Sequence, residues 1–224
     1  QRVLATDLAG YDEVVIATGV EPRDPKIPGQ DHPKVLSYID VLRHGKPVGE
    51  RVAIIGAGGI GFDVAEYLTH AGDSGAVAPR KFYAEWGIDT DYARAGGLAQ
   101  PQAEPSPRRV HLLQRKSTKV GDQLGKTTGW IHRTSLKARS VAMGSGVAYE
   151  RIDDAGLHIT VDGQPQLLEV DNVVLCAGQE PQRELHAALS AAGCSVHLIG
   201  GADVAAELDA KRAINQGSRL AAEL

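Results

Sequence analysis

The stretch Arg51 to Leu68 constrains this chain more than any other. Val52-Ala-Ile-Ile55 is a short apolar run that reads as a strand buried in a parallel sheet. It leads straight into Gly56-Ala-Gly58-Gly59-Ile60-Gly61, and Ile60, Val64, Ala65 and Leu68 then recur at helical spacing. In such a strand–turn–helix unit each motif glycine has its own task. Gly56 permits the tight turn, Gly58 lets the backbone approach a pyrophosphate, and Gly61 lets the helix lie close to the strand. Gly59 and Ile60 share that first turn, whose unpaired N–H groups and positive dipole end favour an anion. The unit predicts dinucleotide binding. A glycine turn made only for close packing is the alternative.

Arg109 to Lys116 is expected as the second strand of the unit. Such strands commonly end in a carboxylate that accepts from a ribose 2′-hydroxyl. This one ends Gln114-Arg115-Lys116. Two cations attract a 2′-phosphate where a carboxylate would repel it, and arginine adds a two-pronged fork. The ending favours NADPH over NADH. A solvated basic strand end is the competing account. Arg133 offers a further cation to the same pocket. Gly125-Lys-Thr-Thr128 looks like the tail of a phosphate loop, but Val120 stands where that motif needs glycine, so the loop is rejected. A helix over Trp130 to Ala138, with Thr127 or Thr128 near its cap, is expected instead, and His132 reads as a hydrogen-bonded structural residue.

Residues 72–108 interrupt the usual alternation with several Gly and Pro and with Phe82, Tyr83, Trp86 and Tyr92. A structureless insert of this length is uncommon without a task. Two accounts fit equally: it packs on another domain, or it buries its own aromatics as a surface loop. After it come a strand at Val141 to Met143 and three runs, Gly146 to Ile152, Leu157 to Val161 and Gln166 to Glu169, separated by turn signals, as in an antiparallel meander.

Tyr11 to Gly19 and Val170 to Gly178 echo each other: acidic start, apolar run, small residue and Gly, then Glu-Pro. The echo suggests two related nucleotide-binding halves. Residues 1–10 are expected as an edge strand and Glu21 to Gly29 as a loop. A short helix Tyr38 to Arg43 is expected, capped by Ser37, followed by a linker at 45–49. Near the end, Arg183 to Ala192 reads as helix and Val196 to Asp203 as a strand with a turn. Val204 to Leu208 and Ala213 to Leu224 read as helix. Asp203 could accept from a sugar hydroxyl, cap a helix, or do both.

With 24 Lys+Arg against 28 Asp+Glu, the charge gives no reason to expect nucleic acid or an anionic membrane as partner. No apolar run approaches the roughly 20 residues of a membrane span. Cys176 and Cys194 match no metal or redox spacing, so a cytoplasmic setting is the default expectation. A start at Gln1-Arg-Val without Met suggests a piece of a longer chain.

The order of Ala-Thr-Gly strand, glycine motif, three-stranded excursion, Ala-Gly strand and Gly-x-Asp resembles flavoproteins with two dinucleotide-binding domains. Gly56 to Asp63, Glu85-Trp-Gly-Ile-Asp89, Leu124 to Arg133 and Ala177-Gly-Gln-Glu-Pro181 resemble the C-terminal part of bacterial NADPH-dependent 2,4-dienoyl-CoA reductases, essentially end to end. The resemblance implies an α/β fold: a doubly wound Rossmann-like NADPH-binding domain (50–177), with an antiparallel excursion, inserted in an incomplete FAD-binding domain (1–49 and 178–224). It implies an electron-entry module that takes hydride from NADPH to FAD in unsaturated fatty-acid β-oxidation. Gly56, Gly58 and Gly61 would serve the NADPH pyrophosphate, with Arg115 and Lys116 at the 2′-phosphate. Thr18 and Gly19 would lie near FAD, Asp203 at its ribityl chain, and Ala213 at the helix facing the flavin, with Gly178 a further cofactor-binding position. FMN, a [4Fe–4S] cluster and the catalytic acids belong to an N-terminal barrel not present here, so no catalytic residue or metal ligand is assigned to this chain. A cofactor-binding module inactive on its own, and the nucleotide-binding part of a trimethylamine dehydrogenase-like enzyme, are the alternatives.

Overall fold

The computed structural model describes residues 2–8, 10–206 and 209–224. In chain order the strands and helices are β1 (Glu13–Ile16), β2 (Val20–Pro22), β3 (Val35–Ser37), α1 (Tyr38–Leu42), β4 (Arg51–Ile55), α2 (Gly59–Thr69), α3 (Pro79–Trp86), β5 (Arg109–Leu113), α4 (Gly129–Ala138) and β6 (Ala142–Gly144). Then follow β7 (Val147–Asp153), β8 (Gly156–Val161), β9 (Gln164–Leu168), β10 (Asn172–Leu175), β11 (Gln179–Pro181), α5 (Glu184–Ala191), β12 (Ser195–Leu198) and α6 (Ala210–Glu223). The chain divides into two compact units, Pro25–Ala177 and Gln1–Asp24 with Gly178–Leu224.

In the larger unit a parallel sheet runs β3-β10-β4-β5-β6. β4 is its centre, and alternation along it feeds two cores. Val52 and Ile54 face Phe62, Val64 and Leu68 of α2 and Leu136 of α4. Ala53 and Ile55 face Ile152, Leu157 and Ile159 of the β7–β8–β9 meander. Helices therefore cover one face and the meander the other. Ile54 and Ile55 are essentially fully buried, each contributing about 1.5–3 kcal/mol. Ser37 caps α1 in a reciprocal box with Asp40, which matches the expected start at Tyr38. The compact unit starts at Pro25 rather than near 50, because β3 pairs with β10 and α1 packs on α2.

The smaller unit holds a parallel pair, β1 with β12, over a cluster of Val14, Ile16, Leu189 and Ala202. Its second pair is antiparallel, β2 with β11, and sets Glu21 opposite Glu180. The echoed Glu-Pro segments thus pair with each other, and Val20–Pro22 is strand where a loop was expected.

Three further expectations are corrected. Ala5–Leu8 is a 3₁₀ turn, not an edge strand, with Asp7 accepting from the Leu4 N–H at 2.8 Å. Residues 204–206 are not helical, and Glu207 and Leu208 lie outside the described residues. Residues 72–108 are not structureless. They hold α3, a 3₁₀ turn at Ala95–Gly97 and a bridge between Ile88 and Leu98. Pro79 at the helix start and left-handed Gly87 at its end bound α3. The insert docks on α4 of its own unit, with Trp86 edge-on to Trp130 at 6.4 Å and Glu85 paired with buried Arg139 at 3.4 Å. Phe82, Tyr83 and Tyr92 stay exposed and Trp86 is half-buried, so the insert does not bury its own aromatics. Among the described residues no helix is long and apolar enough to cross a membrane.

Candidate functional site

The sheet order changes direction at β4. The crossover through α2 leads to β5 on one side, while β10 lies on the other. Crevices at the carboxyl ends of strands beside such a reversal are where open α/β sheets take ligands. Gly56 follows β4 directly. It has φ of +111°, and a Cβ there would lie 2.1 Å from the Cys176 carbonyl oxygen. Only glycine makes this turn. A Cβ on Gly61 would lie 1.9 Å from the Gly56 carbonyl oxygen, so α2 sits against the strand end at backbone distance. Around Gly58 and Gly59 there is no heavy atom within 4 Å of a built Cβ. Gly58 is the N-cap of α2 and carries no side-chain cap. Ile60 follows in the first turn, half-buried against the helix-side core. One glycine turns, one packs, and between them a helix N-terminus faces open space. That arrangement fits a pyrophosphate.

Gln114, Arg115 and Lys116 leave β5 beside this turn. The Gln114 amide donates to the carbonyls of Lys116 (3.1 Å) and Thr118 (2.7 Å). It thereby folds the strand end into a tight loop that leaves Arg115 and Lys116 exposed. Among the described residues neither cation has an ion-pair partner. Gln114 is the residue that sequence reasoning passed over. Its signal was a polar amide between an apolar strand and a basic pair, able to bond its own neighbouring backbone. Arg133 is engaged differently from the cations beside it: Nη1 donates to the Gly121 carbonyl at 2.8 Å, holding the loop between β5 and α4. His132 bonds Glu66 of α2 at 3.1 Å, a structural tie between the two helices.

In the smaller unit Thr18 donates to the Gln182 carbonyl, and Gly19 accepts from the Gln182 N–H at 3.0 Å. A Cβ on Gly201 would fall 3.1 Å from the Gly19 backbone, so this strand end meets the Gly200–Asp203 turn. Gly178, with φ of +98°, bonds the Arg23 N–H. Asp203 accepts from Gln216 Nε2 at 2.8 Å. It ends the 3₁₀ turn Gly200–Ala202, its N–H bonding the Gly200 carbonyl at 3.2 Å, and is not the N-cap of a helix. Asp209 caps α6, accepting from the Arg212 N–H at 2.7 Å. Ala213 sits one turn into α6, exposed, with its Cβ 3.9 Å from where Gly200 would carry one. Thr18, Gly19, Asp203 and Ala213 are thus gathered around one glycine turn.

Cys176 lies beside the Gly56 turn. Burial pushes its thiol up to about 12, with a smaller contribution from Asp63. It is a protonated, inert packing group.

Residues 5–212 match the pyridine nucleotide-disulphide oxidoreductase family. The chain belongs to that family. It is 27% identical over 199 residues to a metal reductase of Desulforamulus reducens, covering 86% of this chain and 28% of the relative. It is 26% identical over 194 residues to a cinnamate reductase of Clostridium sporogenes, covering 87% and 24%. Among solved structures, a 2-naphthoyl-CoA reductase in complex with 2-naphthoyl-CoA shares the fold with a TM-score of 0.73 at 22% identity, covering all of this chain and 29% of that one. The chain therefore spans about a quarter of the length of the curated relatives it matches. The family membership and this likeness agree with the Rossmann-like α/β fold expected from the glycine motif.

Proposed function

We propose that this chain is the electron-entry module of an NADPH-dependent 2,4-dienoyl-CoA reductase. It would bind NADPH on the larger unit and FAD on the smaller, with the reducing centre for the diene in a further barrel domain. When bound, the two cofactors supply the hydride chemistry; the chain's own residues bind and orient. Gly56, Gly58, Gly59, Ile60 and Gly61 would receive the pyrophosphate. Arg115 and Lys116 would hold the 2′-phosphate, with Arg133 bracing the loop behind them. Thr18, Gly19, Gly178, Asp203 and Ala213 would form the flavin side. The observation that carries the reading is the pairing of an open, uncapped helix N-terminus with two unpaired cations at the next strand end. The relatives that carry reductases for a cinnamate and an aryl-CoA thioester support an unsaturated acyl substrate for the parent protein. A domain boundary near 24 and another at 177 suit insertion of one nucleotide domain into the other.

Calorimetric titration with NADPH and NADH tests the proposal. Strong preference for NADPH, lost when Arg115→Ala is combined with Lys116→Ala, supports it. Equal affinity for the two would remove the 2′-phosphate assignment. The alternative, an amine dehydrogenase-like module that uses no nicotinamide, predicts binding of neither. NADPH-driven dye reduction with added FAD then separates a working reductase half from a binding module inactive on its own.

A further inference from the structure

The insert at 72–108 builds a cleft that the nucleotide reading does not use. Three walls enclose it. Glu85 and Trp86 form the end of α3, Thr134 and Ala138 lie on α4, and the returning chain brings Pro101 and Ala103. The sequence makes each wall. Gly87 reverses the chain in the left-handed region, where a Cβ would fall 2.4 Å from the Ala99 carbonyl oxygen. Residues 99–103 then run back along α3, with the Ala99 N–H bonded to Gly87 (2.7 Å) and the Gln102 N–H to Ala84 (2.8 Å). Lys81 closes the neck of the insert, donating to the Asp73 carbonyl and pairing with Glu104, both at 2.7 Å.

The volume is about 400 Å³, within the roughly 300–1,000 Å³ of small-molecule sites. The lining is mainly apolar. Its floor carries a buried ion pair: Arg139 spans Glu85 (3.4 Å), Ser135 Oγ (2.6 Å) and His70 (3.2 Å). Glu85 is therefore neutralised within the floor. Lys137 lines the same cleft, is exposed, and has no ion-pair partner among the described residues. The site thus offers an apolar space beside one uncompensated positive charge.

We propose that this cleft binds a small apolar anion, such as an aromatic carboxylate, at a position separate from the glycine turn. Apolar area gives the affinity and Lys137 selects the charge.

The chain's two tryptophans, Trp86 and Trp130, are in ring contact here, so their emission reports occupancy. Biphenyl-4-carboxylate is titrated against its neutral amide. The expected result is saturable quenching by the acid at submillimolar concentration. Lys137→Gln should weaken the acid up to about fivefold, the reach of an exposed charge pair, and leave the amide unchanged. Ala103→Leu and Ala138→Leu fill the cleft from opposite walls, and each should abolish quenching by both probes while the melting temperature and far-UV circular dichroism stay native. Absence of saturable quenching by the wild-type chain would overturn the proposal. So would full binding in either filled variant that folds, or equal affinity for acid and amide.

Discussion

Gly61→Ala and Gly58→Ala make a matched test of how the glycine turn divides its work. In Gly61→Ala the new methyl would lie 1.9 Å from the Gly56 carbonyl oxygen, with Leu112 behind it at 3.4 Å. The obstacle is backbone, not the far end of a flexible side chain, so α2 must move off β4 by about 1 Å or more to regain normal contact. Overpacking of this kind costs about 1–3 kcal/mol, and a backbone obstacle puts it at the upper end. Alanine's better helix propensity returns up to about 1 kcal/mol. The net loss is about 2 kcal/mol, a fall in Tm of roughly 4–8 °C for a chain of this size. Gly58 has φ of −84° and ψ of −171°, which any residue adopts, and its added methyl meets open space. The only folding cost in Gly58→Ala is a poorer N-cap, about 0.5–1 kcal/mol. Its methyl would instead occupy the approach to the helix N-terminus and weaken NADPH at least about tenfold, the equivalent of about 1.4 kcal/mol. Differential scanning fluorimetry with nucleotide titration reads both effects. A Gly61→Ala melt within about 1 °C of wild type, or a Gly58→Ala melt lowered as far as Gly61→Ala, would refute the division.

Three further outcomes are expected. Arg139→Met leaves Glu85 buried without its cation, which should destabilise the larger unit by about 3–5 kcal/mol; adding Glu85→Leu should recover most of it in urea unfolding. Asp40 is held down at about 2, chiefly by Lys46 and then by the Ser37 N–H and hydroxyl. Its stabilising contribution is therefore complete above about pH 4 and disappears as the pH falls through about 2. The stability gap between wild type and Asp40→Asn should close over that window. Ellman's reagent at pH 8 should modify Cys194 first, with Cys176 reacting only on unfolding, because burial keeps it a thiol.

What could be read from the sequence was local. The β4–turn–α2 unit is specified within Arg51 to Leu68, where apolar alternation, turn glycines and helical spacing agree. The meander was legible because Asp153 to Gly156 and Asp162-Gly163 punctuate it. α3 carried its own signals, Pro79 at the first position and Gly87 just past the last. They were outweighed because Pro and Gly elsewhere in 72–108 do mark loop. The Glu85–Arg139 pair has no signature in the sequence: its members are 54 residues apart and meet only once α3 has docked. The same holds for β2 and β11, whose Glu-Pro echo was visible while their pairing was not. Asp203 and Asp209 show the limit at one residue type. Both precede helical-looking sequence, and only the backbone decides that Asp209 caps α6.

The layout of the two units also dictates an order of assembly on the ribosome. The larger unit is one continuous segment and can close as soon as Ala177 has emerged. β1 has no such freedom: its only partner among the described strands is β12, some 180 residues downstream. At roughly 5–20 residues per second, Val14 and Ile16 wait on the order of 10–40 s for the strand and helix that cover them. Folding of the intervening segment brings the distant halves together by replacing a long floppy loop with a compact body, lowering the entropy cost of closure. The larger unit, which interrupts the smaller one along the chain, is in this sense its folding template. A chain stalled before β12 would expose β1 to chaperones and proteases with the larger unit already formed.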